Sequence, residues 1–157
     1  MNADPAGYLS LVLHAHLPFV RHPEHPRFLE EDWLYEAIGE TYIPLARMME
    51  RLLHDGVPFR LTMTMSPPLC EMLVDPLLRD RYRRHAGEML DTVRRERGRL
   101  DAKYQRVLDH YDRLLSEALD YVAKNDLLSV FRRLQETGSL EILTCGKANG
   151  SWHRSRY

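Results

Sequence analysis

Three short apolar segments, separated by long stretches with helical periodicity, constrain the fold of this chain more than any other feature of its sequence. The segments are Tyr8 to Leu13 (YLSLVL), Phe59 to Met65 (FRLTMTM) and Leu140 to Thr144 (LEILT). Each is apolar or β-branched and bounded by turn residues, as strands buried in a parallel sheet are. Because strands that alternate with helices form parallel sheets, the sequence predicts an α/β fold with right-handed crossovers.

Helical periodicity fills the intervals between the predicted strands. Apolar residues from Trp33 to Leu53 recur mostly on one face of a helix, which predicts a helix that packs against the sheet. Pro44 lies inside this pattern, so we expect a kink there or a break into two helices. A short helix over Leu69 to Val74 and a last helix over Asp126 to Thr137 are also predicted.

A charged region, residues 76–124, stands between the second and third predicted strands. Side chains that suit a helix interface recur there in steps of three and four, from Leu90 to Tyr121. This spacing is typical of long helices packed along a narrow seam, with Gly98 loosening or breaking the first of them. We therefore predict a sheet domain over residues 1–146 with a helical insertion at about 76–124, followed by a polar tail, residues 147–157.

Composition excludes several classes of protein. The 22 basic and 23 acidic side chains give a net charge of −1, so no charge field favours nucleic acid or an anionic membrane as a partner. No stretch approaches the ~20 consecutive apolar residues of a membrane span. Cys70 and Cys145 form no CxxC pair, and we therefore expect a protein of the reducing cytoplasm.

His14 and His16 end the first apolar run, in LVLHAHLPFV, residues 11–20. Alternate residues share a face of a strand, and ligands collect at the carboxyl ends of parallel strands, so both imidazoles can face one site. They can ligate a metal, donate hydrogen bonds to substrate hydroxyls or relay protons. No third metal ligand follows at a suitable spacing, so no metal is predicted. The structural alternative is a pair of buried histidines satisfied by their neighbours.

The next segment, residues 21–45, crowds histidines, prolines and acids into a loop that leaves the same strand end. Trp33 follows at the start of the predicted helix. Aromatic faces stack on sugar rings and carboxylates accept sugar hydroxyl hydrogens, so Trp33 is a candidate substrate-binding residue beside the two histidines. The alternative is a solvated loop in which Trp33 anchors the core and the acidic residues 30–32 are favourable charges in a first helical turn.

Three sequences in the chain resemble parts of glycoside hydrolase family 57, and specifically its 1,4-α-glucan branching enzymes. HAHLP, residues 14–18, resembles the first signature of the family. EEDWLYEAIGETYIPL, residues 30–45, resembles the following helix of the branching group, and GSLEILTC, residues 138–145, resembles the approach to the second signature. The resemblance covers about residues 7–146.

This resemblance implies the N-terminal part of a (β/α)7 barrel that acts on an α-glucan without a metal or other cofactor. Such enzymes retain configuration by means of a Glu nucleophile and an Asp acid/base; branching enzymes cut an α-1,4 linkage and transfer the glucan to a 6-hydroxyl. His14 and His16 inherit substrate-binding roles. The strands that would carry the catalytic carboxylates are absent, so no catalytic residue is assigned and we expect the chain to be inactive alone.

The sequence departs from the family pattern after residue 145. GKANGSWHRSRY stands where the family has a His-containing turn and an apolar segment. This polar, basic ending predicts a truncation or a shifted reading frame. Since three parallel strands leave an unpaired edge, we also expect self-association through that edge.

Two functions of other classes remain open. A stand-alone metal-dependent deacetylase or hydrolase can use an HxH pair, and stoichiometric zinc in the purified protein would favour it. A non-catalytic interaction module can instead use the helical insertion to pair with another chain, in which case the seam residues Leu100, Val107 and Leu114 would be exposed.

Overall fold

The fold is that of a computed structural model, which describes residue 7 and residues 9–144. Within that range one parallel sheet contains, in spatial order, β1 (Val12–Ala15), β2 (Leu61–Met65) and β3 (Leu140–Thr144). The predicted α/β fold is therefore confirmed. The first strand begins later than predicted because its pairing with β2 starts where Val12 faces Thr62. Tyr8, Cys145 and the predicted tail lie outside the described residues.

A single run of helix connects β1 to β2. It consists of α1 (Leu29–Glu36), a π-helical segment (Ala37–Tyr42) and α2 (Ile43–His54). Of the two outcomes predicted at Pro44, the break into two helices is wrong, since the helix continues through it, and the kink stays a prediction. Pro44 lies in the first turn of α2, directly after the wide π turns, which accommodate a residue that lacks an N–H and whose ring crowds the preceding turn.

Four α-helices and one short 3-10 helix (Ala102–Tyr104) connect β2 to β3. The α-helices are α3 (Pro67–Val74), α4 (Pro76–Glu96), α5 (Gln105–Lys124) and α6 (Leu127–Glu136). Helices α4 and α5 occupy the region predicted as an insertion and pack against each other. Ion pairs between Arg94 and Asp112 and between Arg97 and Asp109 join them near the connecting turn. Helix α6 then returns the chain to β3. No helix among the described residues has the length and apolar character needed to cross a membrane.

The two faces of the sheet differ in burial. Ala15, Met63, Met65 and Leu140 point to the helical layer and are at most 5% exposed. The opposite face carries two rows of paired residues, Val12–Thr62–Glu141 and His14–Thr64–Leu143. The residues of these rows that lie on β1 and β3 are exposed. The helices thus cover one face and leave the other open within the described residues, as in the wall of a barrel.

Candidate functional site

His14 and His16 lie together at the carboxyl end of β1. His14 faces Thr64 across the β1–β2 pair, and its Nδ1 is 2.6 Å from the Thr64 Oγ1. His16 follows the strand, and the two imidazole centroids are 4.4 Å apart with the ring planes inclined by 60°. Both histidines are exposed. The alternative of two buried histidines is therefore wrong, and the rings are free to contact a ligand.

Trp33 lies near the start of α1 and is 50% exposed. The next two residues, Leu34 and Tyr35, are buried, so α1 turns them toward the core and Trp33 outward. The alternative in which Trp33 anchors the core is wrong. No ring contact between Trp33 and either histidine of the pair is found among the described residues.

A buried ion pair, which sequence reasoning missed, lies between α1 and α4. The side chains of Glu31 and Arg81 are 1% and 7% exposed, and the Arg81 Nη1 lies 2.5 Å from the Glu31 Oε1. The Tyr35 hydroxyl donates to the Glu31 Oε2 at 2.8 Å. We call Glu31, Tyr35 and Arg81 the loop clamp. Glu31 lies on the same face of α1 as the buried Leu34 and Tyr35. An acid on that face needs a partner, because an unpaired buried charge would be very costly.

The loop clamp holds the segment that follows His16. Arg81 donates to the carbonyl oxygens of His22 and His25 at 3.1 and 2.5 Å. The backbone N–H of His22 in turn donates to the Glu31 Oε1 at 3.2 Å. These contacts use the buried carboxylate and guanidinium, so the clamp holds the loop backbone at His22 and His25.

Tyr35 and Asp75, which border this loop, have shifted pKa values. Burial and then the hydrogen bond to Glu31 raise the pKa of Tyr35 well above its ordinary value, so its hydroxyl stays a proton donor. Asp75 accepts hydrogen bonds from the backbone N–H groups of Leu77 and Leu78 and pairs with Arg21 at 2.6 Å. Burial opposes ionisation of Asp75, but these hydrogen bonds and the Arg21 charge outweigh it and lower the pKa.

A crevice of about 220 Å³ lies beside the loop clamp. Its lining includes Arg27, Asp32, Arg84 and His85, and the His85 Nδ1 is 3.6 Å from the Asp32 Oδ1. Neither strand-end histidine lines it. The crevice is therefore separate from the strand-end pair, in which His14 lies on the open face of the sheet.

Residues 10–149 match the family described as Glycosyl hydrolase family 57. The chain belongs to glycosyl hydrolase family 57. It is 34% identical over 149 residues to the 1,4-alpha-glucan branching enzyme TK1436 of Thermococcus kodakarensis, a match that covers 92% of this chain and 21% of that relative. It is also 35% identical over 77 residues to the probable 1,4-alpha-glucan branching enzyme Rv3031 of Mycobacterium tuberculosis, which covers 48% of this chain and 14% of the relative.

Solved structures of the family have the same fold in this region. The GH57-type branching enzyme of Pyrococcus horikoshii matches with a TM-score of 0.80 and 32% identity, over 88% of this chain and 26% of that one. The alpha-amylase AmyC of Thermotoga maritima matches with a TM-score of 0.78 and 39% identity, over 87% and 26%. The chain thus spans about a fifth to a quarter of these relatives and corresponds to the N-terminal part of their (β/α)7 barrel. The predicted family resemblance is confirmed.

Proposed function

We propose that this chain binds α-glucan through His14 and His16, as the N-terminal part of a 1,4-α-glucan branching enzyme. The observation that carries the proposal is the contact between two exposed imidazoles at the carboxyl end of a parallel strand, where barrel enzymes hold substrates. A neutral imidazole offers one hydrogen-bond donor and one acceptor, which suits sugar hydroxyls. Trp33 adds an exposed aromatic face for stacking on a sugar ring.

We assign no catalytic residue, and we propose that the chain alone does not cleave glucan. A retaining mechanism needs two carboxyl groups about 5–5.5 Å apart, one as nucleophile and one as acid/base. Glu31 is committed to Arg81 and Tyr35, and Glu141 accepts a hydrogen bond from the Thr62 hydroxyl at 2.9 Å. Binding is therefore the part of the reaction that the described residues support.

For the whole enzyme of which this chain would be the N-terminal part, hydrolysis of α-glucan rather than transfer is a second candidate, because the Thermotoga neighbour at 39% identity is described as an alpha-amylase. A metal-dependent hydrolase is not favoured: no cluster of three or more metal-ligating side chains occurs in the part of the chain that the structure describes.

An interaction module is not favoured either, since the chain matches a family of enzymes over most of its length. Leu100 and Val107 are exposed as that hypothesis requires, but Leu114 is half-buried.

The proposal extends to the cellular location, the biosynthetic role and the self-association of the protein. We propose a cytoplasmic protein of glycogen-type biosynthesis, because the curated relatives described above are named as branching or probable branching enzymes. Strands β1 and β3 are both edges of the sheet over residues 9–144. Exposed strand edges pair readily with other chains, so we also propose self-association of the isolated chain.

Titration with maltoheptaose, followed by the ring resonances of the histidines, tests the binding proposal. We expect the His14 and His16 signals to move with one saturating curve, while His54 does not move. His54 is the matched control because it is exposed and ends α2, at the amino ends of the strands. His14 and His16 signals that stay unchanged at high millimolar glucan would refute the proposal.

A further inference from the structure

Thr64 is the hydrogen-bond partner of the His14 ring. The two side chains face each other in register on the open face of the sheet, with 2.6 Å between the Thr64 Oγ1 and the His14 Nδ1. We propose that Thr64 is a positioning residue, which holds His14 in the tautomer that carries its proton on Nε2. This inference rests on the proposed function only where it concerns glucan.

The backbone of Thr64 is well fixed for this role. It lies in the central strand, paired with His14 on one side and Leu143 on the other. A β-branched side chain in a strand has few χ1 rotamers. The hydroxyl therefore points at the imidazole from a rigid position, and the hydrogen bond restricts the orientation of the ring as well as its proton.

The direction of this hydrogen bond follows from which acceptor is available to the hydroxyl proton of Thr64. If the imidazole donated from Nδ1, the half-buried Thr64 hydroxyl would have to give its own proton to water. Within residues 9–144 the hydroxyl has the His14 ring as its partner and no other. Donation from Thr64 to Nδ1 satisfies both groups, and it leaves the remaining imidazole proton on Nε2.

The consequence for ligand binding is a defined polarity at the site. Nε2 is the ring nitrogen farther from the backbone, and the His14 side chain is exposed. With its proton on Nε2, His14 presents a neutral hydrogen-bond donor to the open face. A sugar hydroxyl oxygen is the complementary acceptor, and the second imidazole, His16, stands beside it in ring contact.

Nitrogen chemical shifts of the His14 ring test the assignment directly, without any ligand. At about pH 8.5 an ordinary imidazole is neutral, and we expect the pattern of a protonated Nε2 with a bare Nδ1 in the native chain and in Thr64→Ser. Thr64→Val keeps the shape but removes the hydroxyl, and it should give a mixture of tautomers. Thr62→Val is the matched control, because its hydroxyl bonds to Glu141 one row away. Its His14 pattern should be native.

A native His14 pattern in Thr64→Val, or a proton on Nδ1 in the native chain, would overturn the proposal. In the glucan arm, Thr64→Val should weaken maltoheptaose binding roughly three- to tenfold, as expected for one hydrogen bond, and Thr64→Ser should restore it. Unchanged affinity with an altered tautomer would overturn the role in binding. If Thr64→Val changes the tautomer but the native chain binds no glucan, the positioning role is supported and the proposed function is refuted instead.

Discussion

The strand-end histidines and the loop clamp both lie next to the chain that leaves β1, yet their polar groups are used in opposite ways. His14 is exposed and has one hydrogen-bond partner from its ring. Glu31 is 1% exposed and accepts from Arg81, Tyr35 and the backbone of His22. A buried charge must be fully paired, because its desolvation is costly. An exposed imidazole can keep a donor or acceptor available for hydrogen bonding to a ligand. The comparison indicates that the clamp serves stability and loop position, and it is consistent with recognition as the proposed role of the histidines.

Arg81→Met should have the largest effect on stability. It leaves the Glu31 carboxylate buried without its partner and frees the carbonyl groups of the loop, so we expect a loss of about 3–5 kcal/mol in the free energy of unfolding. Urea denaturation measures it. Arg51→Met is the control, because the Arg51–Asp55 pair is exposed and should contribute less than about 0.5 kcal/mol. Equal effects of the two substitutions would contradict a structural role for the clamp.

Tyr35→Phe should have the next largest effect, about 1.5 kcal/mol, since it removes a hydrogen bond to a buried carboxylate. Tyr82→Phe is a matched comparison in the same layer. The Tyr82 hydroxyl is buried and has no hydrogen-bond partner among the described residues, so its removal should be neutral or stabilising. If thermal unfolding ranks the two variants in the reverse order, the clamp does not depend on Tyr35.

Asp75 should make stability depend on pH at the edge of the loop. Its folded-state pKa is lowered, so its contribution is complete above the ordinary pKa of an aspartate, about 3.9. That contribution is lost as the pH falls through the lowered folded value. Asn can still cap the helix, so we expect Asp75→Asn to remove part of this acid-side slope and, by loss of the partly exposed Arg21 pair, about 0.5 kcal/mol of stability near neutral pH. Denaturation at a series of pH values measures both, and an unchanged slope would count against the Asp75–Arg21 contact.

His14→Ala should have the smallest effect on stability and a large one on binding. Because the side chain is exposed, we expect a change in the free energy of unfolding below about 0.5 kcal/mol. The maltoheptaose response at His16 should nevertheless disappear or weaken strongly. A variant that unfolds easily but still binds glucan would reverse the division between the two regions.

The strands could be predicted where local pattern and tertiary structure agree. The third strand has its predicted bounds, residues 140–144, and the second differs by two residues at its start. The first was placed too early because Leu9 and Leu11 are apolar but exposed, and only pairing with β2 decides where β1 begins. Apolar character alone does not distinguish a strand from the exposed chain that precedes it.

The histidine pair could also be predicted, because two imidazoles one residue apart at a strand end form a local pattern. The loop clamp could not be, because Glu31 and Arg81 are 50 residues apart in the chain and meet only when α1 packs against α4. The partner of the His14 ring, on the neighbouring strand, depended on the register between β1 and β2 in the same way. Contacts of this kind require the tertiary arrangement.

The π-helical segment sets the rotational phase between the two halves of the first connection. Its wider turns advance the chain by a smaller angle per residue than an α-helix does, so α1 can pack against α4 while α2, in the same continuous helix, packs against α6. Gly39 permits this arrangement, since a Cβ there would come 3.2 Å from the Tyr82 hydroxyl oxygen. Deleting one residue here would restore a regular helix and turn one of the two faces away from its partner.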